Sequence, residues 1–137
     1  MAGNRTERVP PAPVVNPESK PFWEAAAAGR FLYGHCLECG EPHFYPRSIC
    51  PFCFGDRTEM REARGEAEIY AHSTMRRADP PYTLAYVTLA EGPRVLTNIV
   101  TCDPDRLRIG QKVWLAFVAA EDGQAVPVFS PQRSQPS

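Results

Sequence analysis

The sequence predicts a mainly β protein: a short N-terminal helix, then a ribbon built on cysteine turns, then a C-terminal five-stranded barrel of the OB type. Three observations carry this reading. Two C-x-x-C pairs lie between residues 36 and 53, five strand-like segments follow Gly65, and the third and fourth of these are joined by a long connection opening on Asp103-Pro104-Asp105. An OB barrel places a helical connection at that point.

Residues 1–20 contain Pro10, Pro11, Pro13 and Pro17 with few large apolar groups. Such a composition buries too little surface to offset its ordering entropy, so it reads as a mobile arm. Next comes Pro21-Phe22-Trp23-Glu24 and four alanines before Gly29. Proline suits a first helical position, alanine an interior and glycine an end, which predicts a helix over Pro21–Ala28. A helix this short is marginal alone, so Phe22 and Trp23 must pack against something. Aromatic residues are enriched in interface cores, which makes these two the expected partner-docking residues; the alternative is that they cover this chain's own ribbon.

Cys36-Leu37-Glu38-Cys39-Gly40 and Cys50-Pro51-Phe52-Cys53-Phe54-Gly55 are two knuckle sequences separated by ten residues. Each C-x-x-C turn aims two thiolates at one point, and two turns complete a tetrahedron, so Cys36, Cys39, Cys50 and Cys53 are expected to hold one zinc ion. Gly40 and Gly55 are expected to permit the tight backbone beyond each pair. Four sulfur ligands leave no open coordination position, which makes the metal structural. A redox role for one pair would need a thioredoxin-like βαβ pattern, which the sequence lacks. His35 and His43 flank the knuckles and read as packing or surface residues, with a ligand role the lesser alternative. Cys102, the fifth cysteine, reads as a buried inert thiol at a strand end.

The expected strands are Ala67–Met75, Tyr82–Ala90, Arg94–Thr101, Lys112–Ala119 and Ala125–Phe129, all rich in β-branched and aromatic residues. The second and fourth are apolar at nearly every position, as for central strands covered on both sides. Glu91-Gly92-Pro93 is a tight turn between the second and third. His72 falls on a partly exposed face of the first.

With 15 basic and 16 acidic side chains the net charge is −1 and the pI about 6.3, without the positive field on which non-specific nucleic-acid binding depends. No apolar run reaches the roughly 20 residues of a membrane helix, and the first thirty residues lack a leader pattern; a cytoplasmic protein without membrane contact is expected. Nucleophile elbows, phosphate loops and dinucleotide turns are absent, and no residue set is apparent to support an independent hydrolase. Arg76 and Arg77 in the loop after the first strand, and Arg106 and Arg108 in the long connection, are either solvated charges or phosphate contacts. Tyr70, Tyr82 and Tyr86 are either core or stacking residues.

The Phe-Trp helix, the two cysteine knuckles, Gly65-Glu66-Ala67-Glu68-Ile69-Tyr70, Pro81-Tyr82, Asp103-Pro104-Asp105-Arg106-Leu107-Arg108-Ile109-Gly110 and the ending Val126-Pro127-Val128-Phe129 together resemble a known family. It is the OB-fold and rubredoxin-like zinc-ribbon acyl-CoA-associated family, once labelled domain of unknown function thirty-five; the likeness runs from about residue 20 to 131. The resemblance implies a partner of thiolase-superfamily enzymes, either a thiolase or a side-chain aldolase, in aromatic or steroid degradation. The enzyme would carry the catalytic residues, and this chain would support assembly and coenzyme A or acyl-CoA binding. Coenzyme A has an anionic end suited to arginine and an arm suited to an apolar groove, so Arg76, Arg77 and Tyr82 are the expected ligand contacts. The expected division is an arm over 1–20, helix and ribbon over 21–60, barrel over 61–131 and a tail over 132–137. The rival function is a zinc-ribbon OB-fold protein that binds single-stranded nucleic acid.

Overall fold

The computed structural model describes residues 9–132. The proposed tail from 133 onward and residues 1–8 of the proposed arm lie outside them. Residues 9–19 lie against the body: the Pro10 carbonyl accepts the Glu121 amide at 3.1 Å, and the Glu18 carboxylate accepts the Ser48 amide at 2.7 Å. This part of the expected mobile arm is therefore tied down at both ends.

Helix α1 (Lys20–Ala27) follows a turn closed by a reciprocal pair of bonds. The Asn16 Oδ1 accepts the Ser19 amide at 2.9 Å while the Ser19 Oγ accepts the Asn16 amide at 3.1 Å. At its other end Gly29 adopts φ 81°, with Gly29 N–H donating to the Ala26 carbonyl and Arg30 N–H to that of Ala25, both 2.9 Å. That double closure needs the left-handed conformation glycine supplies.

The ribbon is a small antiparallel sheet in the order β2-β1-β3, with β1 Leu32–Cys36, β2 Pro42–His43 and β3 Thr58–Glu62. The barrel closes in the order β4-β5-β6-β8-β7: β4 Glu66–Met75, β5 Tyr82–Leu89, β6 Arg94–Ile99, β7 Lys112–Ala119 and β8 Ala125–Ser130. The expected helical connection is a single 3-10 turn, Pro104–Arg106, capped by the Asp103 carboxylate on the Asp105 amide. Strand β5 alternates, contrary to the expectation that both its faces are covered: Thr83, Ala85, Val87 and Leu89 point inward while Tyr86 is exposed. A closed barrel of this size fills its interior from one face of each strand, leaving the other outside.

One core joins all three parts. The Phe31 ring lies 5.9 Å from Phe22 of the helix, 5.4 Å from Phe44 of the ribbon and 6.0 Å from Phe129 of the barrel. Phe22, Phe31 and Phe129 are all fully buried. Burial of rings of this size outweighs the weak intrinsic stability of an eight-residue helix.

Candidate metal centre and neighbouring surfaces

The two knuckles bring Cys36, Cys39, Cys50 and Cys53 together, with all four sulfurs within 4.8 Å of one another. A tetrahedral zinc at about 2.3 Å from each sulfur sets the sulfurs about 3.8 Å apart. The Cys36–Cys53 and Cys39–Cys50 separations are 3.6 and 3.7 Å, so the residues fit a four-sulfur zinc site. Cys36 and Cys50 are buried; Cys39 and Cys53 face outward. Backbone amides supplement the ligands: Glu38 and Cys39 donate to the Cys36 sulfur at 3.3 and 3.4 Å, and Phe52 donates to that of Cys50 at 3.3 Å. Such bonds favour thiolate.

Both knuckles close with the same turn: Gly40 N–H donates to the Cys36 carbonyl at 3.0 Å and Phe54 N–H to that of Cys50 at 2.9 Å. The turn requires positive φ at its last residue, which is 78° at Gly40 and 63° at Phe54. The sequence expectation for Gly55 is corrected here. The strained position falls one residue earlier, on an aromatic residue that costs energy there, while Gly55 has no positive φ and only the movable end of the Glu38 side chain lies where its Cβ would be.

The amides of Cys39 and then Glu38 hold the Cys36 thiol down to about 7 against the opposing effect of burial. The Glu41 amide favours the Cys39 thiolate, but burial and the neighbouring cysteine sulfurs outweigh it and push that thiol up to about 12. Cys53 is also raised, the Cys36 sulfur and burial overriding the Gly55 amide. Four sulfurs this close do not all ionise without a cation, and a divalent metal supplies the missing charge.

Neither flanking histidine joins the cluster. His43 is buried in β2 with neither ring nitrogen hydrogen-bonded; burial, followed by the charge of Arg47, lowers its pKa. His35 is half-buried in β1.

The structure places Phe22 and Trp23 inside the chain, 1% and 9% exposed, with their rings edge-on at 5.0 Å. Direct partner contact through these rings is corrected by that burial: they cover the ribbon and barrel, as the short helix needs. Exposed apolar groups gather instead at the ribbon tip. Leu37 and Phe52 occupy interior positions of the two C-x-x-C turns, Phe54 and Ile49 flank the second, and Phe54 is 77% exposed. Sequence reasoning passed over them because knuckle residues were read only for their turns; the signal was four large apolar side chains where turn-forming polar ones suffice.

Tyr82 lines a cavity at the open end of the barrel. Arg76, at the same end, pairs with Asp105 at 2.8 Å across to the 3-10 turn, and Arg77 is exposed in the same loop. Arg106 pairs with Asp103 at 3.8 Å. Arg108 is exposed just beyond the turn. Tyr70 and Tyr86 sit on the outer barrel surface, away from Tyr82's cavity, and the Arg94 guanidinium covers the Tyr70 ring at 3.9 Å. Cys102, expected buried, is half-buried and lines that cavity, its sulfur 3.7 Å from the Ile99 carbonyl. His72 is half-buried on β4. No helix of the described residues is long and apolar enough to cross a membrane.

A four-cysteine knuckle pair on a three-stranded ribbon, packed against a closed five-stranded barrel, defines a zinc-ribbon OB-fold protein. Family models agree part by part: residues 23–59 match the ChsH2 rubredoxin-like zinc ribbon domain and residues 60–118 the ChsH2 C-terminal OB-fold domain. The chain belongs to this ChsH2, or DUF35, family. It is 37% identical over 89 residues to a DUF35 domain-containing scaffold protein of Methanothermobacter thermautotrophicus, covering 60% of this chain and 67% of that one. A "Probable enoyl-CoA hydratase alpha subunit" of Thermomonospora curvata is 32% identical over 136 residues, but the 93% of this chain that aligns spans only 43% of that protein. The benzoylsuccinyl-CoA thiolase subunit BbsA of Thauera aromatica is 28% identical over 134 residues, covering 86% of this chain and 92% of that subunit. Among solved structures, a chain of the Ltp2-ChsH2(DUF35) aldolase superposes with a TM-score of 0.76 at 30% identity, covering 88% of this chain and 98% of that one.

Proposed function

We propose that this chain is a zinc-containing, non-catalytic subunit of an acyl-CoA-processing complex, partnering a thiolase-superfamily enzyme and supporting assembly and coenzyme A or acyl-CoA binding. The observation that carries the reading is the near end-to-end likeness to a benzoylsuccinyl-CoA thiolase subunit and to a chain of the Ltp2-ChsH2(DUF35) aldolase. The apolar ribbon tip adds physical support. Leu37, Ile49, Phe52 and Phe54 present hydrophobic surface on a turn that zinc makes rigid, which lowers the ordering cost of docking an enzyme subunit. The ligand contacts proposed are Tyr82 in the barrel-mouth cavity with Arg76 and Arg77 at that end. The nucleic-acid alternative draws no comparable support, because Arg30, Arg57, Arg61, Arg64, Arg76 and Arg106 all face carboxylates and form no basic stripe.

The test is capture of the tagged, zinc-loaded chain from its own host's extract, with mass spectrometry of what accompanies it. A thiolase-superfamily enzyme in a near-integer ratio is expected. Recovery of nuclease-sensitive material in its place refutes the reading.

A further inference from the structure

Residues 9–15 are a wall between two voids that border the same strand. A cavity of about 290 Å³ at the barrel's open end is lined by Val118 of β7, Val128 of β8, Cys102 and, from the arm, Pro10. A groove of about 510 Å³ beside helix α1 is lined by Val126 of β8, Trp23, Tyr45 and, from the arm, Pro11, Pro13 and Val14. Val126 and Val128 are two residues apart on β8, so they share one side of that strand. The arm therefore crosses β8 between them and partitions a single trough that runs from the barrel mouth to the helix.

Its two ends are held unequally. At residues 16–19 the Glu18 carboxylate accepts both the amide and the hydroxyl of Ser48, at 2.7 and 2.9 Å, and Asn16 and Ser19 bond each other. Bonds to an ionised carboxylate are the stronger class. Among the described residues, 9–15 are held by one hydrogen bond, from the Glu121 amide to the Pro10 carbonyl at 3.1 Å. Apolar contact adds little: Pro10 and Pro13 are half-buried, whereas Val9 is 60% and Val14 89% exposed. A segment with so few buried contacts opens locally at low free-energy cost. Pro10, Pro11 and Pro13 stiffen it, so it swings from its anchored end as a piece and does not unravel.

We infer that residues 9–15 form a hinged strap that swings on the anchored turn at residues 16–19, and that its release from the Glu121 amide gates access to the barrel-mouth cavity. Closed, the strap separates the cavity from the groove. Open, it joins them along Val126 and Val128. The inference goes beyond the subunit reading and holds whichever enzyme the chain accompanies.

Glu121 makes the test specific. It is the second residue of a turn closed by the Gly123 amide on the Ala120 carbonyl at 2.9 Å, a position that favours proline. Glu121→Pro therefore keeps the turn and removes the N–H that holds the strap. The zinc-loaded full chain and this variant are treated with a neutral maleimide, and modification of Cys102, in the cavity wall, is followed by peptide mass. Labelling about fivefold faster in the variant is expected from the loss of one neutral hydrogen bond, at unchanged melting. Hydrogen exchange of the unaltered chain gives a second reading that needs no variant. The Glu121 amide is expected to exchange about a hundredfold or more faster than the amide of the buried Ile69, which bonds the Gln111 carbonyl at 2.9 Å. Unchanged labelling in a folded Glu121→Pro protein, or a Glu121 amide protected as strongly as that of Ile69, overturns the inference.

Discussion

Replacing Phe54 by glycine separates what this residue costs the fold from what it gives the surface. At φ 63° an L-residue sits in the left-handed region, at a cost of roughly 1–2 kcal/mol. The ring is 77% exposed, so truncation removes little buried apolar area. Glycine relieves the backbone cost but adds about 0.5–1 kcal/mol of unfolded-state entropy. The expected net is a ribbon about 0.5–1 kcal/mol more stable, a rise in melting temperature of roughly 2–6 °C. The same variant should bind the partner enzyme about tenfold or more weakly, as for loss of an aromatic anchor worth about 2 kcal/mol. Thermal unfolding of the zinc-loaded protein and titration with the enzyme read the two effects separately. A marked loss of stability would show that the ring packs on its own chain, and undiminished binding would remove the ribbon tip from the interface.

Cys39→Ser should abolish stoichiometric zinc and loosen the ribbon; a full equivalent of metal with unchanged melting would defeat the site. Because Cys39 is pushed up to about 12 and Cys53 is also raised, the metal-free site keeps protons on both near pH 8. Zinc binding there should release about two protons or more, and affinity should fall as the pH falls, since acid competes for the thiolates. Calorimetry in buffers of different ionisation enthalpy checks this, and a pH-independent affinity between pH 6 and 8 contradicts it. Phe31→Ala and Trp23→Ala should each cost about 3–5 kcal/mol by emptying the shared core. Trp23→Ala in a still-folded background should leave partner affinity within about twofold, because only 9% of its surface is exposed; a large selective loss of binding would return it to the interface.

The barrel was legible because its strands carry their β-branched and aromatic composition openly: all five lie within two residues of their expected ends, and the Asp103-Pro104-Asp105 signal marks the connection. The metal site was legible from spacing alone, since cysteine chemistry is local. The ribbon strand Thr58–Glu62 was not, because Thr-Glu-Met-Arg-Glu reads as solvated loop and pairs only through tertiary context with β1. The contacts of residues 9–19 were not legible for a related reason: they run through a carbonyl and a carboxylate whose partners lie far along the chain. The Phe22 and Trp23 assignment turned on burial, which a sequence of aromatic residues leaves open between core and interface. Tyr82 lines the barrel-mouth cavity, whose hydroxyl pairs join residues 9 and 29 positions apart, beyond any local pattern.

The most direct test of the subunit account is reconstitution. The purified zinc-loaded chain, the thiolase-superfamily enzyme it captures and their mixture are compared for mass in solution and for acyl-CoA turnover. The account predicts no turnover by the chain alone, a stable complex of near-integer ratio, and higher turnover in the complex than in the enzyme by itself. Separate elution of the two proteins, or acyl-CoA turnover by the chain alone, contradicts it.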